Sequence, residues 1–295
     1  MKNSCLGWNL FILLAAGWLM GATTVETSAP PAEPVQKTAA KTADTVAVKP
    51  ADPLPEKPAK PVISADNILS EARQLVQNGE LLAAKEKYKK FLTRDLSSDL
   101  KKDIRKELED LNIKILFSKT VIPGSIIHDV KPGDNLYKIA KDHNTTVGFI
   151  VRSNQLKGFT IYPGQKLKVV VAPFSIKVRL SKNKLYLYQG EELVKTYSVA
   201  TGHDKATPVG EFTIENKLIN PTWYRAGAVV PPDSPENILG TRWMGFTVPG
   251  YGIHGTTKPE SIGKNVSAGC VRMLNEDVEE LYDIVPAKTK VTILK

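Results

Sequence analysis

The sequence predicts a multidomain α+β chain: a short helical segment, then a small βααβ module, then a larger and mainly β domain. Three observations predict it. Apolar residues recur at helical spacing between about 65 and 118. Two short apolar strands flank two short helical stretches between 126 and 171. From Phe174 onward, alternating apolar and polar runs are separated by turn residues. The 295 residues have room for more than one domain. The net charge of +9 is spread without a long run of one sign, which argues against a nucleic-acid partner. The mild basic bias suits an anionic polymer or membrane surface nearby.

Residues 1–22 begin Met-Lys-Asn-Ser and continue as an apolar stretch from Leu6 to Ala22. A positive start before such a core is the pattern of an export signal, cut after Ala22, or, left uncut, of a single membrane anchor. Cys5 precedes the apolar core, which disfavours a lipoprotein cleavage site. Residues 23–64 are rich in Pro, Ala, Thr and Lys and have few large apolar residues to bury; they read as an unstructured, semi-extended linker. In 65–118, Ile68, Ala72, Leu75 and Val76 form one helical stripe, broken at Asn78-Gly79. Further stripes follow, and the first pair resembles one tetratricopeptide-like hairpin, serving as a spacer, a packing element or a partner surface.

The 126–171 module has turns at Lys131-Pro-Gly-Asp134 and Tyr162-Pro-Gly-Gln165. Its Val130-x-Pro-Gly-Asp-x-Leu-x-x-Ile-Ala and later Pro-Gly-Gln-x-Leu-x-Val resemble a LysM domain. The resemblance covers the whole segment and implies binding to glycans that contain N-acetylglucosamine. His128 and His143 are expected on its surface, with no metal-ligand spacing around them.

In 174–295, "SIKVRL", "LYLYQ", "LVKTYSVATG", "GEFTIENKL", "RWMGFTV", "YGIHG" and "KVTIL" read as strands. Residues 220–240 lack periodicity and suggest a lid or wall loop. Asn275 is expected to cap a helix whose apolar face carries Val278, Leu281, Tyr282 and Val285, with Glu276 and Asp277 in its first turn.

Two glycine-flanked reactive residues stand out here: His254 in Ile-His-Gly-Thr and Cys270 in Ser-Ala-Gly-Cys-Val-Arg. Once 1–22 is removed, Cys270 is the only cysteine and no intrachain disulfide can form. A thiolate beside Arg272 and an imidazolium would have a depressed pKa and act as a nucleophile. A buried cysteine is also often only a small apolar residue. Spacing alone leaves both readings open.

Taken together, "IHGT" with "SAGCVR", "TPVGEF" and "NPTW" resemble the YkuD-type L,D-transpeptidase domain, from about Phe174 to the C-terminus. The resemblance implies a peptidoglycan-modifying cysteine transferase that forms a thioester with a stem tetrapeptide and passes it to an amine as a 3→3 cross-link. Alternatives are L,D-carboxypeptidase action, with water as acceptor, and a wall anchor with an inactive domain. A papain-like endopeptidase is disfavoured because there the cysteine precedes the histidine.

The resemblance makes Cys270 the nucleophile, His254 the base, the Gly255 carbonyl the group that orients the imidazole, and backbone amides at Gly269 and Cys270 the oxyanion donors. Arg272, Ser267, Trp223 and Tyr251 are the expected substrate-binding residues; Trp223, Tyr224 and Trp243 are equally open to a core role. No cofactor or metal is implied. The expected partner is peptidoglycan, its glycan held by the LysM segment and its stems by the catalytic domain. The chain is expected to be exported to the periplasm or cell wall, to be monomeric, and to have the N-terminus as an optional membrane tether. Read as separable modules, the parts predict that deleting 121–172 weakens wall binding and spares turnover of a soluble donor.

Overall fold

The computed structural model describes residues 65–225 and 227–295; the signal and linker readings for 1–22 and 23–64 lie outside the described residues. Three helices come first: α1 (Ala65–Gln77), α2 (Leu81–Leu92) and α3 (Ser98–Leu116). Gly79 breaks the first pair at φ +81°, where a side chain would be strained. Ser97 caps α3 by accepting from the Leu100 amide at 3.3 Å. Among the described residues no helix is long and apolar enough to cross a membrane.

The small module is β1 (Ser125–Asp129), α4 (Leu136–Asp142), α5 (Val147–Ser153) and β2 (Lys166–Val170), with β1 and β2 antiparallel. Asn135 and Thr146 cap its helices by accepting from Lys138 N and Phe149 N. The module has a small core of its own, in which Leu136, Ile139, Ile150 and Leu167 are buried. Its two histidines are more enclosed than expected. His128 Nε2 meets Asp134 Oδ2 at 2.9 Å, and its ring packs edge-on against His143 at 5.5 Å.

The third part contains β3 (Phe174–Arg179), β4 (Lys184–Gln189), β5 (Glu192–Ser198), β6 (Thr201–Gly202), β7 (Gly210–Ile219), β8 (Trp223–Arg225) and β9 (Ala228–Val230). It continues with β10 (Arg242–Phe246), β11 (Gly252–His254), β12 (Asn265–Ser267), β13 (Val271–Arg272), α6 (Asn275–Ile284) and β14 (Lys290–Leu294). Eight strands form one sheet in the order β13-β11-β10-β7-β14-β3-β4-β5. The pairs β14/β3 and β11/β13 are parallel. The segment read as a lid or wall loop contains a small hairpin, β8 against β9.

Helix α6 is fixed at its C-terminal end by Lys217, whose buried ammonium donates to the Tyr282 and Val285 carbonyls at 2.6 Å each. Those carbonyls have no intrahelical partner, so the lysine satisfies them. The helix cap differs from expectation. Leu274 occupies the N-cap position with no side-chain bond, and Asn275 is turned toward the loops before and after β10 and β11.

The three parts pack against one another, so the small module has neighbours on both sides. Helix α3 lies against the edge strand β5: Asn112 Nδ2 donates to the Val194 carbonyl at 3.0 Å, and Thr196 Oγ1 donates to Glu109 at 2.7 Å. Covering this edge removes an aggregation-prone template. The small module is held from both sides. Lys168, buried on β2, donates to the carbonyls of Ile115, Leu116 and Ser118 at the end of α3 at 2.8–3.2 Å. Thr146 donates to the Asp283 carbonyl and Arg152 pairs with the Asp283 carboxylate at 3.2 Å. Phe149 is buried edge-on between Phe117 of the helical segment and Phe174 of the β domain, at 5.8 and 5.9 Å. One buried aromatic of this kind contributes about 2–3 kcal/mol of apolar burial.

Candidate active site

Sheet register assembles the site. Trp243 on β10 pairs across to Leu218 on β7 and to His254 on β11, and His254 pairs with Arg272 on β13. Directly opposed residues on neighbouring strands project from the same face. Leu218, Trp243, His254 and Arg272 therefore form one row across four strands. Cys270 lies two residues before Arg272, close to the same face. All five line one cavity of about 380 Å³, whose far wall is Pro221, Trp223 and Tyr224 from the 220–240 excursion.

The imidazole of His254 is buried, and its Nδ1 is 2.7 Å from the Gly255 carbonyl oxygen. A carbonyl only accepts, so Nδ1 carries the proton and Nε2 is left as the basic nitrogen. The Trp243 ring stacks on the imidazole at 5.8 Å and is held by its Nε1 donating to Asn216 Oδ1 at 3.0 Å. Burial pulls the imidazole pKa down to about 4; the Gly255 carbonyl opposes this, the Arg272 guanidinium adds to it, and the Leu239 carbonyl opposes it.

The thiol differs from expectation. Cys270 is half-buried, and enclosure pushes its pKa up, against the smaller pull of the Gly252 amide and Arg272. Desolvation thus favours the neutral forms of both the thiol and the imidazole, against the smaller pull of the guanidinium on the thiol. Among the described residues the thiol's hydrogen bond runs to the Gly250 carbonyl at 3.5 Å, not to the ring.

Three residues with expected roles make contacts of their own. The Gly269 amide donates to Ser267 Oγ at 3.1 Å, so it is not free for an oxyanion; among the described residues no hydrogen bond engages the Cys270 amide. Ser267 spends its own proton on the Cys270 carbonyl at 2.6 Å, so its hydroxyl ties the loop together instead of offering that proton to a substrate. Tyr251 packs against the core and against Gly269, where an added Cβ would come within 2.6 Å of its ring. With φ +134°, Gly269 could not readily be another residue, and the tight loop aims Cys270 into the cavity. Arg272, Trp223 and Ser267 all line the cavity, and Tyr251 does not; the Arg272 Nε is buried without a protein partner.

Sequence reasoning missed two supports. Asn237 is buried and clamps the excursion, donating to the Pro221 and Pro231 carbonyls at 2.9 and 3.1 Å and accepting from the Leu239 amide at 3.0 Å. Asn275 is the second: in sequence an asparagine before an acidic turn signals a cap, and in the fold its oxygen accepts from the Thr241 and Thr256 amides.

Comparison with known proteins identifies two domains in the chain. A model of the L,D-transpeptidase catalytic domain, YkuD, matches residues 173–293, and one of the LysM domain matches 128–170. A Bacillus licheniformis protein, provisionally named L,D-transpeptidase YkuD, is 39% identical over 176 residues, covering 57% of this chain and 98% of its own. The chain belongs to the YkuD L,D-transpeptidase family. The Bacillus subtilis YkuD, also provisionally named, is 35% identical over 175 residues, with the same two coverages. A second B. subtilis relative, YqjB, provisionally an L,D-transpeptidase, is 43% identical over 117 residues, covering 38% of this chain and 65% of its own. Family membership makes the chain a cysteine-dependent L,D-transpeptidase of peptidoglycan with a LysM domain ahead of it. Domains that act on peptidoglycan imply a location outside the cytoplasm, at the wall.

Proposed function

We propose that Cys270 forms a thioester with the stem tetrapeptide and passes it to a neighbouring amine as a 3→3 cross-link. The observation that carries this is the cross-strand row, which brings His254 and Arg272 to Cys270 in one cavity with Nδ1 already committed to Gly255. On substrate binding the thiol turns from the Gly250 carbonyl toward His254 Nε2, which takes its proton. Sulfur attacks the carbonyl of the L-centre before the terminal D-residue, and the Cys270 amide donates to the oxyanion. The C–N bond breaks, and the leaving amine collects the proton from the imidazole. The incoming amine then attacks the thioester, gives a proton back through His254, and releases the thiol. Peptide bond is exchanged for peptide bond, so the bond energy is conserved across the two steps.

Arg272 holds a substrate carboxylate in this reading, which the buried Nε proton without a protein partner supports. Trp223 and Tyr224 supply apolar wall for the donor stem. The LysM segment holds glycan; Tyr137, Phe159 and Tyr162 are 72%, 75% and 67% exposed there and offer ring faces to sugars. Holding glycan near the cavity raises the local concentration of stems. The test is product analysis with a disaccharide-tetrapeptide donor and an amine acceptor. A 3→3 dimer that disappears in Cys270→Ala supports the reading. Release of hydrolysed tripeptide alone would move it to carboxypeptidase action.

A further inference from the structure

We propose that Asn275 is a positioning residue for His254, acting through the peptide group that joins Gly255 to Thr256. This rests on the reading of His254 as the base. The Gly255 oxygen accepts from His254 Nδ1 at 2.7 Å, and the amide on the other side of the same peptide group, Thr256 N, donates to Asn275 Oδ1 at 3.1 Å. A chain runs from the Asn275 oxygen through one peptide dipole to the imidazole. Hydrogen bonds in such a chain polarise one another, so the Asn275 oxygen makes the Gly255 carbonyl a stronger acceptor for the ring.

The same oxygen also accepts from Thr241 N at 3.3 Å, which ties the segment entering β10 to the segment leaving β11. The fit is close: a Cβ on Gly255 would lie 2.1 Å from Asn275 Oδ1, and one on Gly240 2.3 Å. The preceding peptide group is held too, its Gly255 amide donating to the Arg242 carbonyl at 3.2 Å. The peptide group therefore has little freedom to rotate and is gripped from the side away from the histidine. Asn275 reaches this position because it opens α6, whose far end Lys217 fixes. An Asn at a helix start ordinarily caps its own helix; here that bond is given up and the oxygen serves the neighbouring loop.

The groups facing the imidazole are few. Arg272 on β13 is the charged one, the Cys270 thiol is the titratable one, β10 contributes the Trp243 ring, and the 239–255 backbone contributes the Leu239 and Gly255 carbonyls. Asn275 acts on the last of these.

The test uses the full chain and two variants. Asn275→Ala removes the acceptor; Asn275→Asp keeps an oxygen in place, adds negative charge and suits the first turn of a helix. The readouts are kcat and KM against pH and the titration of the His254 ring by nitrogen NMR, with thermal unfolding to confirm folding. The Ala variant is expected to lose roughly tenfold in kcat with KM little changed, the scale of one polarised hydrogen bond. Its imidazole titrates at lower pH than wild type. The Asp variant recovers kcat and titrates at higher pH than wild type. Opposite displacements of the ring's titration, with rescue by Asp, distinguish a relay from packing alone. If both variants lose activity equally and the ring titrates as in wild type, the proposal is overturned. The ring titration needs no turnover, so it still decides the question if the wild-type chain proves inactive and the catalytic reading itself fails.

Discussion

Between about pH 6 and pH 8, alkylation of Cys270 by iodoacetamide is expected to speed up roughly a hundredfold without reaching a plateau, since the thiolate is the reacting species. The structure sets this expectation. Enclosure pushes the thiol above its ordinary value and burial brings the imidazole down to about 4, so both partners are expected to be uncharged at rest. A thiol at or above that value is about 1% thiolate or less at pH 7. The assay is intact-mass tracking of adduct in a Cys5→Ser background, at constant ionic strength. Two variants sharpen it. His254→Ala is expected to leave the pH profile close to wild type, since there is no resting ion pair to lose. Arg272→Ala is expected to slow alkylation several-fold at neutral pH, because the guanidinium is one of the groups lowering the thiol pKa. A plateau below about pH 7, with His254→Ala slowing alkylation by roughly a hundredfold or more, would refute the neutral-pair description and restore a thiolate–imidazolium pair.

Two further outcomes concern the scaffold. Phe149→Ala, at the aromatic joint, is expected to cost about 3–5 kcal/mol of stability in urea unfolding. Lys168→Met, which takes the donor from the Leu116 and Ser118 carbonyls at the end of α3, is expected to cost about 1–3 kcal/mol. Because these contacts bind the LysM segment to its neighbours, deleting 121–172 is expected to lower the melting temperature of the catalytic part as well as wall binding. An unchanged melting temperature would favour separable modules after all. The buried lysines also set a pH dependence. Burial brings Lys217 to about 7 and Lys168 to about 8, both below their unfolded value. Between those values and about 10.5 the unfolded chain binds more protons, so stability rises with pH there. Chemical denaturation at pH 9 should show a gain on the order of 1–3 kcal/mol over pH 7, reduced in Lys217→Met.

Much of the fold is legible in the sequence because local rules suffice. Alternation marks the β strands, Asn78-Gly79 marks the break between α1 and α2, and Pro-Gly turns mark the LysM segment. The reactive pair is legible from its glycine-flanked motifs. What cannot be read is register. The row from Leu218 to Arg272 depends on strands far apart in sequence meeting residue for residue, and no local pattern states that pairing. Burial is equally non-local: Arg272 two positions from Cys270 suggests a low thiol pKa, and only the surrounding walls show that desolvation wins. Tyr251 looks like a ligand-facing residue beside its motif, yet folding packs it under the loop, and Ser267 lines the cavity while its hydroxyl holds that loop together. Asn275 follows the capping rule in sequence and breaks it in space, because two loop amides compete for its oxygen.

The most direct test of the account is intact-mass analysis after acid quench of the protein mixed with a stem tetrapeptide. A covalent adduct is expected on Cys270 with the mass of the donor less one free D-amino acid, absent in Cys270→Ala and discharged by added amine. Turnover with no such adduct, or an adduct at any other residue, would contradict it.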